Sequence, residues 1–190
     1  MDFNVSPMSL LLRFRAKRCL RHARLVVCDV DGVLTDGKLH YDENGHVAKV
    51  FSVRDGLAVR MLQRSGVIVS FLSGGRSGAI EQRANHLDVK HCIVGAADKA
   101  SSLSDLRARL NVPLQNTVFL GDDLNDLTVR PVVGSLVATR DAVPALRAQS
   151  DLVLQSCGGS GALRELAELI LSSQGLLNTL HREGWRDVNS

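Results

Sequence analysis

Short apolar runs alternate with segments of helical spacing along most of the chain. We interpret the apolar runs as strands, and they lie at 25–30, 67–72, 89–94, 117–120, 133–138 and 152–154. Helical spacing predicts helices at 55–64, about 77–87, about 98–110 and about 161–173. Strands that read as continuous apolar runs are typical of parallel sheets with both faces covered by helices. The pattern therefore predicts an α/β fold, a Rossmann-like three-layer α/β/α arrangement around a parallel sheet.

One segment departs from this alternation. Residues 38–51 read KLHYDENGHVAKVF, in which the turn-forming residues at 42–45 separate two strand-like runs. This pattern predicts a small β-hairpin. The surrounding pattern predicts a basic segment at 1–23, one α/β domain at 24–175 and a polar tail at 176–190.

The N-terminal segment is strongly basic. Six basic residues and no acidic residue lie between positions 13 and 24. An ordinary first helix with a solvated basic face has this composition, as does a transit peptide or a helix on a membrane surface. The sequence leaves these three interpretations open.

The composition argues against several classes of function. The net charge of +3 is small for a nucleic-acid-binding protein, and aromatic residues, which stack on single-stranded bases, make up only 4% of the chain. The four cysteines are scattered without a CxxC pair, which predicts free thiols in a reducing, cytoplasmic setting. No apolar run approaches the roughly 20 residues of a membrane span. We therefore expect neither a nucleic-acid partner nor a membrane span.

Carboxylates follow the first predicted strand directly. Residues 26–37 read VVCDVDGVLTDG, so Asp29 and Asp31 come at the end of an apolar run. Ser73 follows the strand at 67–72, and Asp122 follows the strand at 117–120. The carboxyl ends of parallel strands meet at one edge of a sheet, where ligands bind. We therefore expect these side chains to converge.

Lys99, at the start of a predicted helix, completes this set. Clustered carboxylates repel one another unless a cation holds them, and Mg²⁺ binds carboxylates together with the phosphate oxygens of a substrate. A lysine and a hydroxyl group can then bind the phosphate oxygens that the metal leaves free. The sequence therefore predicts a magnesium site that binds a phosphoryl group.

The ordered set DVDGVLTDG, Ser73, Lys99 and GDDLND at 121–126 resembles the four motifs of the haloacid dehalogenase superfamily of phosphatases. The resemblance implies that Asp29 is the nucleophile, which forms an aspartyl-phosphate, and that Asp31 is the general acid and base. It implies that Ser73 and Lys99 bind the phosphoryl group. It also implies a Mg²⁺ site made of Asp29, the backbone carbonyl of Asp31, and Asp122.

Other residues near these motifs have either a structural or a functional interpretation. Asp36 and Asp42 are typical turn residues, whereas Asp123 and Asp126 either cap the following helix or contact the metal. Further possible site residues are Gly74, Arg76 and Asn125. A response-regulator receiver domain also clusters aspartate and lysine, but its phospho-accepting aspartate lies on a later strand than its acidic pair. The DxD pair on the first strand favours a nucleophile with its acid/base.

The spacing between motifs leaves no room for a cap domain. Only the hairpin and one helix fit between Asp31 and Ser73, and only one helix and one strand fit between Ser73 and Lys99. Many relatives in the superfamily insert a cap there. Shielding of the site must then come from elsewhere, and the free edges of the hairpin favour self-assembly.

A closer resemblance rests on VRDGLAVRMLQRSGV at 53–67, DVDGVLTDG, GDDLND and GGSGALREL at 158–166. Over roughly residues 20–175 the chain is similar to the 3-deoxy-D-manno-octulosonate 8-phosphate phosphatase family. That family implies a capless homotetramer that acts on a phosphorylated sugar acid of lipopolysaccharide biosynthesis. The implied substrate contacts are Ser52, Val53, Arg54, Asp55, Gly56, Arg60, Arg83 and Lys99.

Two positions depart from that family. Gly75 and Ser160 stand where the family commonly has arginine, and the family's segment around the second position reaches a neighbour's active site. A nonulosonate 9-phosphate or another small phosphate ester is therefore the alternative substrate. A non-catalytic oligomerisation module, like the C-terminal domain of sialic acid cytidylyltransferases, is an alternative of another class. The complete set of motif residues favours the enzyme.

Overall fold

The computed structural model describes residues 19–76 and 78–184 of the chain. Six parallel strands are β1 (Leu25–Cys28), β4 (Ile68–Leu72), β5 (His91–Ile93), β6 (Thr117–Gly121), β7 (Ser135–Ala138) and β8 (Leu152–Val153). A separate antiparallel pair consists of β2 (His40–Tyr41) and β3 (Val47–Ala48). The helices are α1 (Val53–Arg64), α2 (Gly78–His86), α3 (Lys99–Leu110), α4 (Pro144–Gln149), α5 (Ala162–Ser173) and α6 (Leu177–Glu183). Two 3-10 helices span Leu114–Asn116 and Leu124–Val132.

The large sheet has the strand order β5-β4-β1-β6-β7-β8, so β1 lies between β4 and β6. Leu25 is in register with Ile68 on one side and Thr117 on the other, and all three strands run in the same direction. Their carboxyl ends therefore meet at one edge. This register is the reason that the residues after β1, β4 and β6 can form one site.

Alternate residues of β1 face opposite sides of the sheet, and two hydrophobic cores result. Val26 and Cys28 pack in one core with residues of α1, α2 and α5. Leu25 and Val27 pack in the other with residues of α3, α4 and the second 3-10 helix. The predicted three-layer α/β/α fold with a small hairpin is confirmed.

The chain shows no cap domain within the described residues. Between β1 and β4 it forms the hairpin β2–β3 and α1, and between β4 and α3 it forms α2 and β5. The described helices include none that is long and apolar enough to cross a bilayer.

Helix α5 is part of the core. Leu163, Leu166, Ala167 and Ile170 are buried at the spacing of one helical face, and α5 packs against α1. A truncation after Cys157 would remove this helix, so such a truncation tests folding and does not isolate an effect on the site.

Three elements differ from the sequence-based prediction. The pattern did not indicate α4, which begins at Pro144 and is only six residues long. The helix expected after GDDLND is a 3-10 helix, Leu124–Val132, and it contains Pro131. The first half of the predicted polar tail forms α6. Most of the basic segment at 1–23, with its three interpretations, lies outside the described residues.

Candidate active site

Asp29 lies directly after β1, at the edge where the strands end. Its backbone N–H donates to the Leu120 carbonyl at 2.9 Å, so the β1–β6 hydrogen bonds continue up to this residue. The side chain is only 6% exposed, and its Oδ2 lies 3.0 Å from Lys99 Nζ. The β-sheet thus holds a buried carboxylate in a fixed place beside an ammonium group.

Lys99 is the first residue of α3, which Asp98 caps by accepting the Ser101 N–H at 3.1 Å. Its side chain is 3% exposed, and Nζ donates to Asp126 Oδ1 at 2.7 Å. Asp126 is fully buried, and its Oδ2 accepts the N–H of Asp122 at 2.9 Å. Asp126 therefore orients both the lysine and the loop after β6.

Asp123, in the same loop, has an exposed side chain. It caps the 3-10 helix by accepting the Leu124 N–H at 2.6 Å. Asp126 takes part in the same cap, because its Oδ2 accepts the Asp123 N–H at 3.3 Å, but it is buried near Asp29 and Asp122 whereas Asp123 is exposed. Asn125 is exposed as well, and its carbonyl accepts the Thr128 hydroxyl at 2.8 Å.

Asp122 completes a cluster of three carboxylates. One oxygen from each of Asp29, Asp122 and Asp126 lies within 4.8 Å of the other two. Asp122 Oδ1 is buried and accepts no hydrogen bond. A Cβ on Gly32 would overlap the Asp122 carboxylate, so glycine is required for the loop to pass this close. A buried, unsatisfied oxygen among carboxylates fits a hard divalent cation such as Mg²⁺.

Burial, together with repulsion between neighbouring carboxylates, raises the pKa values of Asp29 and Asp122. Burial, followed by the charges of Asp29 and Asp126, raises the pKa of Asp122 to about 8. Burial and Asp126 raise the pKa of Asp29 to about 6, although Lys99 opposes the shift. Without a cation, the cluster therefore retains protons at pH values where isolated aspartates are ionised.

We expect the metal-free protein to lose stability as the pH rises from about 5 to about 8. In the unfolded chain both carboxyl groups ionise near 3.8, whereas in the folded chain they ionise at about 6 and about 8. In this interval the folded state binds more protons than the unfolded state, so rising pH favours unfolding. Thermal unfolding in the presence of a chelator, measured across this range, checks the expectation.

Added Mg²⁺ should raise the Tm more at the upper end of this range, because the ionised carboxylates bind the cation. Asp122→Asn is the matched variant, since it keeps the shape of the side chain and should remove most of both effects. A metal-free Tm that increases from about pH 5 to about pH 8 would contradict this account.

Asp31, two residues after Asp29, contacts a residue of the hairpin. Lys49 Nζ donates to Asp31 Oδ1 at 2.5 Å and to Oδ2 at 2.7 Å. The lysine side chain is 3% exposed, and the aspartate side chain is 35% exposed. The sequence pattern did not identify Lys49, because it lies in a short and otherwise exposed hairpin with no motif around it.

Ser73 follows β4 and is buried. Its Oγ accepts the N–H of Gly75 at 3.0 Å, which tightens the turn after the strand. A Cβ on Gly75 would lie 3.1 Å from Asp31 Oδ2 and 3.4 Å from Ser73 Oγ, so this glycine lies between the two side chains. Gly74 and Arg76 are exposed, and the Arg76 side chain packs beside Gly95.

Comparison with known proteins identifies the family. A model of haloacid dehalogenase-like hydrolases matches residues 91–166. The 3-deoxy-D-manno-octulosonate 8-phosphate phosphatase of Haemophilus influenzae is 40% identical over 156 residues, which are 82% of this chain and 87% of the relative. The chain belongs to this family of haloacid dehalogenase-like hydrolases.

Solved structures of the family agree. A probable YrbI family phosphatase from Pseudomonas syringae pv. phaseolica has a TM-score of 0.87 at 38% identity, covering 90% of this chain and 97% of that one. The 3-deoxy-D-manno-octulosonate 8-phosphate phosphatase from Moraxella catarrhalis was solved in complex with magnesium ion, phosphate ion and KDO. Its TM-score is 0.86 at 34% identity, with coverage of 90% of this chain and 98% of that one.

Ser52 to Gly56, which the family resemblance implies are substrate contacts, lie at the N-terminus of α1. Ser52 caps this helix by accepting the Arg54 N–H at 3.2 Å, and its carbonyl accepts a hydrogen bond from Arg83 Nη2 at 3.0 Å. Val53 and Arg54 are exposed. Arg83 also lies over the Phe51 ring, with Cζ 5.7 Å from the centroid, and burial lowers its pKa.

A groove of about 340 Å³ lies beside this segment. Gly56, Arg60 and Arg83 line it, together with Val53 and His86. Two arginines in one groove are suited to a carboxylate or phosphate. The residues that line the groove belong to α1, α2 and the position after α2, and they do not include the Asp29 cluster.

Asp55, another residue of this segment, contacts the N-terminus of α5. It is buried, and its carboxylate accepts the N–H groups of Gly161 at 3.2 Å and Arg164 at 2.9 Å. It therefore caps α5 from the first turn of α1. Burial raises the pKa of Asp55, although these backbone hydrogen bonds oppose the shift.

The glycine-rich segment at 158–161 packs against the loop that follows β1 in the same chain. The Gly159 N–H donates to the Val33 carbonyl at 2.9 Å. A Cβ on Gly158 would overlap the carbonyl oxygen of Gly32. Close contacts within one chain therefore explain why glycine occupies these positions, and no neighbouring subunit is needed for that explanation. Ser160, between them and α5, is exposed.

Proposed function

We propose that the protein is a Mg²⁺-dependent phosphomonoesterase that forms an aspartyl-phosphate on Asp29. The observation that carries the proposal is the buried Asp29 carboxylate, 3.0 Å from the Lys99 ammonium and within 4.8 Å of two further carboxylates. Its proposed substrate is 3-deoxy-D-manno-octulosonate 8-phosphate, which it hydrolyses to the free sugar acid and phosphate. Support for this substrate comes from the similar proteins of Haemophilus influenzae and Moraxella catarrhalis, which are both named as phosphatases of this ester.

Asp29 and Asp122 are the side chains that would hold Mg²⁺, together with the backbone carbonyl of Asp31. The Asp126 oxygens already accept hydrogen bonds from Lys99 and from the loop after β6, so Asp126 would hold these groups in place and would not bind the metal. The chemistry supplied by bound Mg²⁺ is neutralisation of the negative charge on the carboxylates and the phosphoryl oxygens.

In the first half-reaction, a carboxylate oxygen of Asp29 attacks phosphorus and the bond from phosphorus to the sugar oxygen breaks. Asp31 donates a proton to that oxygen, so the sugar leaves as an alcohol. Lys99 and Ser73 bind the oxygens of the transferring phosphoryl group. Because phosphoryl transfer depends mainly on positioning and charge stabilisation, these fixed groups account for the catalysis.

In the second half-reaction, a water oxygen attacks the phosphorus of the aspartyl-phosphate. Asp31, now a carboxylate, accepts the proton of that water, and the bond from phosphorus to Asp29 breaks. Phosphate leaves and the Asp29 carboxylate is regenerated. The same aspartate thus serves as acid and then as base.

A panel of phosphate esters tests the proposal. Purified protein with Mg²⁺ is assayed with 3-deoxy-D-manno-octulosonate 8-phosphate, a nonulosonate 9-phosphate, a sugar phosphate without a carboxylate, and p-nitrophenyl phosphate. We expect the highest kcat/KM for the first. A higher value for the nonulosonate ester would change the substrate and keep the reaction, whereas no phosphate release from any ester would favour the non-catalytic oligomerisation module.

We further propose that the protein is a homotetramer that works in the reducing cytoplasm. Support for assembly comes from apolar side chains on and beside the hairpin, since Tyr41, Val50 and Val53 are each exposed by more than half. Support for the compartment comes from the four cysteines, none of which forms a disulfide in the described part of the chain. Light scattering at micromolar concentration measures the assembly, and a fully active monomer would contradict it.

A further inference from the structure

Lys49 has a buried side chain in an exposed part of the molecule. Its neighbours Ala48 and Val50 are exposed, whereas its own side chain is 3% exposed. Lysine is almost never buried without a partner, because an unpaired ammonium group in the protein interior is costly. The partner is Asp31, whose two carboxylate oxygens both accept hydrogen bonds from Nζ.

This contact fixes the Asp31 carboxylate in both position and orientation. The ammonium group holds both oxygens from one side, and the backbone of Gly75 closes another side. A Cβ on Gly75 would lie 3.1 Å from Asp31 Oδ2 and 3.9 Å from Lys49 Nζ. Residues after β1, β3 and β4 therefore meet at this carboxylate, and the hairpin contributes the only cation among these three residues.

We propose that Lys49 is a positioning residue, which holds the Asp31 carboxylate where it exchanges protons with the sugar oxygen and with water. This inference rests on the proposed function, because it assigns Lys49 to the acid/base step of that reaction. It gives the hairpin a role within its own chain, separate from any role in assembly. A positioning error of about 1 Å in a catalytic group can cost a factor of the order of 100 in rate.

Lys38 provides a matched control on the same hairpin segment. It pairs with Asp36 at 2.9 Å, but its side chain is 75% exposed, so this pair is a surface contact of little energetic weight. We expect Lys49→Met to lower kcat by about 10–100-fold with little change in KM. Lys49→Arg should restore part of the rate, and Lys38→Met should behave as the wild-type protein.

A double-mutant cycle separates positioning from a general effect on folding. If Lys49 acts through Asp31, then Lys49→Met should cause no further loss of kcat in an Asp31→Asn background. If the loss of kcat in the double variant equalled the product of the two single losses, the proposal would be overturned, because the lysine would then act independently of Asp31.

The leaving group gives a second, independent measurement. In a single turnover, an alkyl phosphate needs a proton on its leaving oxygen, whereas p-nitrophenyl phosphate leaves as a stable anion. Lys49→Met should therefore slow the phosphorylation of Asp29 by the alkyl ester much more than by the nitrophenyl ester. Equal slowing with both esters would overturn the proposal.

Crystal structures of Lys49→Met and Lys38→Met supply a result that needs no activity. We expect the Asp31 carboxylate to move in the first variant and to stay in place in the second. An unmoved carboxylate in Lys49→Met would refute the positioning role. If the wild-type protein hydrolysed no phosphate ester, the proposed function would fail while this structural comparison still decided the role of Lys49.

Discussion

Asp29→Asn should lower kcat by at least about 1000-fold, which corresponds to about 4 kcal/mol of transition-state stabilisation. The amide keeps the shape of the side chain but removes the charge that attacks phosphorus. The fold should be retained, because Lys99 keeps its contact with Asp126. Phosphate release at saturating Mg²⁺ and substrate measures the loss, and circular dichroism checks the fold.

Asp88→Asn is the matched control for this substitution. Asp88 is exposed and has a φ of 57°, which asparagine adopts as readily as aspartate. We expect this variant to keep its wild-type rate. Turnover of Asp29→Asn within tenfold of the wild-type value would exclude Asp29 as the nucleophile. Another side chain, or water itself, would then have to attack phosphorus.

Asp31→Asn should slow turnover by roughly 10²–10⁴-fold, the usual effect of removing a positioned proton-transfer group. Formation of the aspartyl-phosphate from p-nitrophenyl phosphate should persist, because that leaving group needs no proton. Its hydrolysis should be slow, because no base accepts the proton of water. Acid-quenched single turnovers should therefore trap the phosphorylated protein.

The exposed Asp36, five residues later in the same loop, provides the control Asp36→Asn, which should hydrolyse its aspartyl-phosphate at the wild-type rate. Mg²⁺ affinity of Asp31→Asn should stay close to the wild-type value, since only the backbone carbonyl of this residue is expected at the metal. A large loss of affinity in a folded variant would instead identify the Asp31 side chain as a ligand.

The sheet and the edge that carries the site were predictable because each depends on local sequence. An apolar run such as 25–30 indicates a buried strand by itself, and parallel strands place the residues that follow them at one edge. The resulting expectation that Asp29, Lys99 and Asp122 lie close together matches the observed distances. Whether these residues perform the assigned roles is left to the substitutions above.

Other parts of the site depend on contacts between distant segments, which no local pattern reveals. Lys49 reaches Asp31 across 18 positions from a hairpin whose strands have two residues each. Asp55 reads as part of a substrate-binding loop, yet its partners are backbone groups more than 100 positions later. In GDDLND, three aspartates share one pattern, and only packing decides that Asp126 is buried and Asp123 exposed.

The contacts of Asp55 and Gly159 also bear on how the protein forms during translation. Asp55 binds Gly161 across 106 positions, and Gly159 contacts the loop after β1 across a still longer stretch of chain. A ribosome that adds about 5–20 residues per second needs on the order of 5–20 seconds to synthesise 106 residues. During that interval the nascent chain carries β1 and both of its aspartates, but it lacks the backbone that supports their loop. The loop after β1 is therefore expected to reach its final shape only when α5 has left the exit tunnel, so ribosome-bound chains that end before α5 should be inactive.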